Sequence, residues 1–168
     1  MAYEPLGPYV LGSGKKAGQA VELIIFHDYP WLKSLYNKQK RKKVPEERKN
    51  RLHLHLDWLM NKADKAKPLM LCPHCGQKKI ELISALGSDK YGFSMGTKFS
   101  CCLEAQCKQN LLSWAGGGAS LIIPAKIFSV SHFKKRADQK KFIKILRHLY
   151  GLEGKLSKEA AFAFFKNI

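Results

Sequence analysis

The cysteines limit most how this chain can fold. Cys72-Pro-His-Cys75-Gly76 is one C-x₂-C knuckle, and Cys101, Cys102 and Cys107 follow about 26 residues later. Four thiolates close a tetrahedral shell and leave no position for water, which is the pattern of a structural metal. Soft sulfur donors favour zinc over hard cations. The expected ligands are Cys72, Cys75, Cys107 and Cys102, with Cys101 as the alternative to Cys102. His74 lies between two ligands and is expected to point outward. A disulfide framework fits poorly with an odd count of five cysteines. A redox C-x-x-C would leave the second group unexplained. The expected cofactor is one structural Zn2+.

The second constraint is the sign of the charge. Thirty Lys and Arg oppose thirteen Asp and Glu, giving +17 over 168 residues. An excess of this size points to a polyanionic partner, most commonly nucleic acid. It is not spread evenly: residues 33–67 carry +8, residues 134–168 carry +7, and the cysteine-bearing stretch 68–118 only +2. The candidate phosphate contacts in the first block are Lys40, Arg41, Lys42, Lys43, Arg48 and Arg51. In the second they are Lys134, Lys135, Arg136, Lys140, Lys144 and Arg147. Lysine outnumbers arginine and acts as a point charge, so binding should be salt-sensitive and weakly sequence-specific. With 45% apolar residues the chain is globular. No apolar run approaches the length of a membrane span, so no membrane partner is expected. The start MAYEPLGPYV lacks a charged leader followed by an apolar stretch, so the expected location is cytoplasmic.

The coarse pattern predicts an α+β chain: a small helical N-terminal module, a four-cysteine zinc ribbon and C-terminal helices. Pro30 opens a helix running to about Lys40. Pro45 opens a second, with Glu46 and Glu47 in its first turn and Leu52, Leu56, Leu59 and Ala63 on one face, ending before Pro68. Trp58 lies near Arg51, His55 and Lys62, and either stacks on a base or packs with Leu54. Residues 71–112 read as two hairpin-like segments punctuated by Gly87, Gly92 and Gly96, and Gly116 to Gly118 mark a loop. Leu121-Ile122-Ile123 and Ile127-Phe128 read as buried strand or docking segments split by Pro124. Residues 137–150 form an amphipathic helix with Phe142, Ile145, Leu146 and Leu149 opposite Lys140, Lys144 and Arg147. Ser157 caps a last helix ending near Lys166. The expected domains are 1–67, 68–115 and 116–168.

Near the N-terminus, Gly14-Lys15-Lys16-Ala17-Gly18 invites comparison with a phosphate-binding loop. The spacing G-x₄-G-K-[ST] is not met, because Tyr9 stands where the first glycine belongs and Lys16 where the hydroxyl belongs. Instead Tyr9-Val10-Leu11, Gly14-Lys15-x-x-Gly18, Leu23 and Asp28-Tyr29-x-Trp31-Leu32 resemble the small C-terminal module of exodeoxyribonuclease X-like proteins, over about residues 9–36. The resemblance implies association with DNA-processing machinery through an accessory, non-catalytic piece. Lys15 and Lys16 would then sit on a glycine turn that approaches phosphate closely. Residues 71–108 resemble the Ogr/Delta-type phage zinc finger, with CPxCG, a spacer and a C-x₄-C pair.

No catalytic constellation accompanies these motifs. Two-metal exonucleases begin their carboxylate set with Asp-x-Glu, which does not occur in the chain. Glu153-Gly154-Lys155 matches the E-x-K of restriction-type nucleases but falls between two helices rather than on a strand. His53 and His55 are too far apart around a helix to share a site, and His27, His132 and His148 are isolated. The H-x-E that precedes P-C-x-x-C in zinc deaminases is missing. The expected function is therefore a non-catalytic, zinc-held DNA- or RNA-binding accessory protein. It would serve a nuclease or nucleoprotein complex, for instance a CRISPR-type effector in antiviral defence. Phe162, Phe164 and Phe165 offer a docking surface that would also allow a homodimer. The alternatives are a small metal-dependent nuclease and a transcription- or ribosome-associated zinc-ribbon protein.

Overall fold

The computed structural model describes residues 3–42, 45, 48–85, 99–114 and 121–168. Lys43, Glu46, Glu47, Gly87, Gly92, Gly96 and Gly116 to Gly118 lie outside them. The chain divides into two compact units, Met1–Ala66 with Gly154–Ile168, and Lys67–Glu153. Residues 154–168 thus return to the first unit instead of belonging with 116–153.

The first unit is helical. Tyr9 to Val21 form a narrow turn, closed by the Val10–Ala20 bridge and by the Val21 amide donating to the Tyr9 carbonyl at 2.9 Å. Helix α1 (Val21–His27) and helix α2 (Tyr29–Arg41) are separated by Asp28 alone, whose extended φ of −155° breaks the helical path. Pro30 fits the first turn of α2, where a missing N–H costs nothing. Helix α3 (Arg51–Lys65) begins six residues beyond Pro45. Asn50 is its cap, with its side-chain oxygen accepting from the His53 amide at 2.9 Å. Asparagine satisfies an orphan amide that proline, lacking a side-chain acceptor, cannot. Ser157 caps helix α6 (Lys158–Lys166) by accepting from the Ala160 amide.

The helices bury Val21, Ile24, Ile25 and Phe26 of α1, Leu32 of α2, Leu56 and Leu59 of α3, and Phe162 and Phe165 of α6. Phe26 stacks on Phe165 with centroids 5.5 Å apart, and Trp58 lies 5.6 Å from Phe162. Phe162 and Phe165 are core residues, with Phe164 at the edge against Phe26. The docking surface expected of these three rings, and the homodimer argued from it, therefore lose their basis. The short period of α6 explains the change. It places Ala161, Phe162 and Phe165 on one face that needs cover, and α1 and α3 supply it.

The second unit combines a small antiparallel sheet with two helices. Strand β1 (Leu82–Ala85) is central, pairing with β2 (Ser100–Cys101) on one side and β3 (Leu121–Pro124) on the other. Ile83 and Ile123 are direct cross-strand partners and both are buried. Helix α4 (Ala105–Trp114) follows β2. Ile127–His132 is a 3₁₀ helix, not a strand: Ile127 is buried and Phe128 is exposed beneath Lys126. Helix α5 (Arg136–Leu149) buries Phe142, Ile143, Leu146 and Leu149 and packs on the 3₁₀ segment. The buried Tyr150 hydroxyl donates to the Ala125 carbonyl at 3.1 Å, anchoring the end of α5. Taken together, the described residues form a mixed helical and antiparallel-sheet fold of the α+β kind. Among them, no helix is long and apolar enough to cross a membrane.

Candidate metal centre

The first knuckle is a turn fixed by its own backbone. The Cys72 amide donates to the Lys78 carbonyl at 2.7 Å, the Gly76 amide to the Cys72 carbonyl at 2.8 Å, and the Leu71–Lys79 bridge closes the base. Gly76 sits at φ 66°, in the left-handed region glycine enters without a Cβ penalty. The second half of the site is not a hairpin. Cys102 follows β2 directly, and Cys107 rides on the first turn of α4. A helix start satisfies the C-x₄-C spacing because its tight first turn brings the chain back within one pitch.

Cys72, Cys75, Cys102 and Cys107 converge, with their four Sγ atoms all within 4.8 Å of one another. They form one group that could hold a metal ion. Cys75 Sγ and Cys102 Sγ are 3.9 Å apart. Cys101 is buried one residue away but is not in the group. Its carbonyl accepts from the Glu81 amide at 2.9 Å, which ties β2 to β1. Cys72, Cys102, Cys107, Phe99 and Leu111 are buried together, with Cys75, Leu82 and Ile122 partly buried against them. Outside, Lys78 and Glu104 pair across the two halves of the site. That contact holds the Glu104 carboxyl below its ordinary range and the Lys78 ammonium above its own.

The thiols differ electrostatically. Backbone amides of Lys78 and Gln77 donate to Cys75 and bring its pKa down to about 7. Burial raises those of Cys102 and Cys107. Burial likewise pushes Cys101 up to about 11. Cys102 and Cys107, which burial holds against ionisation, would be kept as thiolates by a cation placed among the four sulfurs. His74 is half-buried, and its Nε2 has no hydrogen-bond partner among the described residues.

The expected phosphate contacts are dispersed over both units. Lys40, Arg41, Lys42, Arg48 and Arg51 are exposed in the first, and Lys134, Lys135, Arg136, Lys140 and Lys144 in the second, where Arg147 is half-buried. Lys43 lies outside the described residues. Lys40 sits over the Tyr36 ring and Arg51 over the Tyr9 ring. Lys15 is exposed, whereas Lys16 pairs with Asp28 at 2.9 Å. Trp58 packs against His55 and Phe162. Glu153 of the E-x-K triplet pairs with His148 at 2.6 Å, in the loop after α5.

Sequence reasoning missed one polar centre altogether. Glu22 of α1 and His55 of α3 are both fully buried and meet at 2.6 Å. Both Glu22 oxygens also lie 3.3 Å from the Tyr9 amide, and His55 Nδ1 lies 3.1 Å from the Tyr3 hydroxyl. Nothing local marks the pair, since its members are 33 residues apart. The only hint was a glutamate inside the apolar run Val21 to Phe26.

In comparisons with protein-family models, curated proteins and solved structures, nothing matches this chain.

Proposed function

We propose that this protein is a non-catalytic, zinc-held nucleic-acid-binding accessory protein, acting with a nuclease or nucleoprotein effector on DNA. The observation that carries the reading is the convergence of four thiols on one point. A Zn–S bond of about 2.3 Å sets the edge of a regular ZnS₄ tetrahedron at about 3.8 Å, and the 3.9 Å between Cys75 and Cys102 fits that edge. The donor set, all sulfur and closed, suits a structural zinc ribbon with no catalytic position.

The charge distribution supports the nucleic-acid part. The first unit carries sixteen bases and eight acids and the second fourteen and five, so the excess is +8 and +9. In the first unit Glu22 pairs with His55, Asp28 with Lys16, and Asp57 with Lys49 at 2.8 Å. Asp28 and Asp57 are each cancelled by one lysine, so the excess of +8 is carried by the unit's other charged residues. The N-terminal likeness to an exodeoxyribonuclease accessory module favours DNA as the polymer.

Two measurements on the purified full-length protein test this. Metal analysis is expected to give one zinc per chain. Binding to duplex and single-stranded DNA is expected to weaken by about a hundredfold between about 50 and 200 mM salt, as for a protein neutralising about four phosphates. Intact protein without zinc would overturn the first half of the reading, and affinity indifferent to salt the second. Co-purification with a nuclease that survives nucleic-acid digestion would support the accessory role.

A further inference from the structure

Among aromatic residues near the basic surface of the first unit, most ring faces are used internally. Trp58 lies 5.2 Å from His55 and 5.6 Å from Phe162. Tyr29 is buried, and Tyr36 has the Lys40 ammonium 5.4 Å over its ring, with its hydroxyl bonded to Asp57. Tyr9 packs on His55 at 5.3 Å. Trp31 is different. It is half-buried on the first turn of α2, beside the glycine turn. The Lys16 ammonium stands 5.9 Å from its ring centroid and 2.9 Å from the Asp28 carboxylate. Asp28 is the single residue between α1 and α2, so two helices fix the carboxylate that places this lysine.

The turn itself is shaped by Gly14 and Gly18, at φ 84° and 79°. A Cβ at either would meet nothing within 4 Å, so the turn is open on its outer side. The two glycines serve the backbone path rather than close packing, and Lys15 stands exposed between them. An indole, one lysine held in place, and a second lysine on an open turn are the parts that single-stranded sites combine. They stack a base on an aromatic ring and hold the neighbouring phosphate with cations. A duplex keeps its bases stacked within itself and cannot use the indole in this way.

We propose that Trp31, Lys16 and the Gly14–Gly18 turn form a subsite for one unpaired nucleotide, with the base on the indole and its phosphate at Lys15 and Lys16. This rests on the nucleic-acid reading above and adds a preference for single strands. The turn supplies one contact, and the remaining exposed lysines supply non-selective attraction to either form of the polymer.

The test uses the full-length zinc-loaded protein with two labelled probes at about 50 mM salt, an oligothymidylate of about 15 nucleotides and a duplex of about 15 base pairs. The single strand is expected to bind more tightly. Trp31→Ala is expected to weaken it by about 5- to 150-fold, the range for losing one base stack, with duplex affinity changed less than about twofold. Trp31→Phe, which keeps a ring and guards against misfolding, is expected to restore most of the loss. Lys16→Met should reduce single-strand affinity several-fold and Trp58→Phe should leave it unchanged. Equal losses on both probes, or no loss with Trp31→Ala, would overturn the subsite while leaving nucleic-acid binding intact. Failure of both probes to bind the wild-type protein would instead overturn the functional reading itself.

Discussion

The two units are held by different means. The first closes on side chains spread over four helices, with Ile24, Ile25, Leu32, Leu56, Leu59 and Phe165 fully buried and the Glu22–His55 pair among them. The second contains a region whose centre is four thiols, two short strands and the first turn of α4. Apolar burial supplies its own driving force as the chain collapses. A thiol cluster does not, because burial holds Cys102 and Cys107 against the ionised state in which they would bind a cation. A cation at the four thiols would give that region what apolar burial gives the first unit.

The largest effect that would break this comparison is metal removal. Structural zinc sites carry an apparent binding energy of about 10–16 kcal/mol near neutral pH, much of it folding free energy. Strong chelation, or Cys102→Ser, is expected to unprotect the amides around residues 71–83 and 99–111 in hydrogen exchange while those of α1 to α3 stay protected. Cys101→Ser is expected to leave metal content at the wild-type level. Loss of protection in both units together would show that they do not differ in this way.

A smaller but local effect is expected in the first unit. His55→Ala strands the Glu22 carboxylate in the core and should cost about 3–5 kcal/mol, read from denaturant midpoints. Replacing both residues by apolar ones, Glu22→Leu with His55→Met, should recover most of that loss. A loss under about 1 kcal/mol for His55→Ala would mean that water reaches the pair. Ser157→Ala should cost about 1 kcal/mol, the ordinary value of an N-cap, and should leave the second unit unaffected.

The subtlest test concerns thiol reactivity in the metal-free protein. In the metal-free molecules that keep this region folded, Cys75, with its pKa held at about 7, should alkylate before Cys101, pushed up to about 11. The sign follows from linkage. The amide contacts that lower Cys75 contribute stability fully present above its ordinary value of 9.0 and lost as pH falls through about 7. Burial of the neutral Cys101 thiol contributes stability present below 9.0 and lost as pH rises through about 11. Mass mapping of partial labelling against pH checks both orders. Faster labelling of Cys101 than of Cys75 would contradict them.

Much of the secondary structure was legible because its signals are local. Pro30 and Ser157 announce helix starts within one turn, and the spacing of Phe142, Leu146 and Leu149 defines a face without reference to anything else. The start of α3 was misread because a proline and two acids outweighed an asparagine whose capping role depends on the chain direction before it. The 3₁₀ segment after β3 was misread because a short apolar run has no period of its own. The three phenylalanines near the C-terminus looked available because their cover comes from α1 and α3, far away in sequence.

By itself, the sequence determined three of the four thiols, the sign and size of the charge, and most helix faces. Each of these is a property of residue type or of spacing within a few positions. Only the tertiary structure decided that Cys102 rather than Cys101 joins the other three thiols. It alone showed that Glu22 finds His55, that Phe162 and Phe165 are core, and that Trp31 rather than Trp58 is the ring left beside a positioned lysine. Those outcomes depend on which distant faces meet, and a linear chain carries no local mark of its future neighbours.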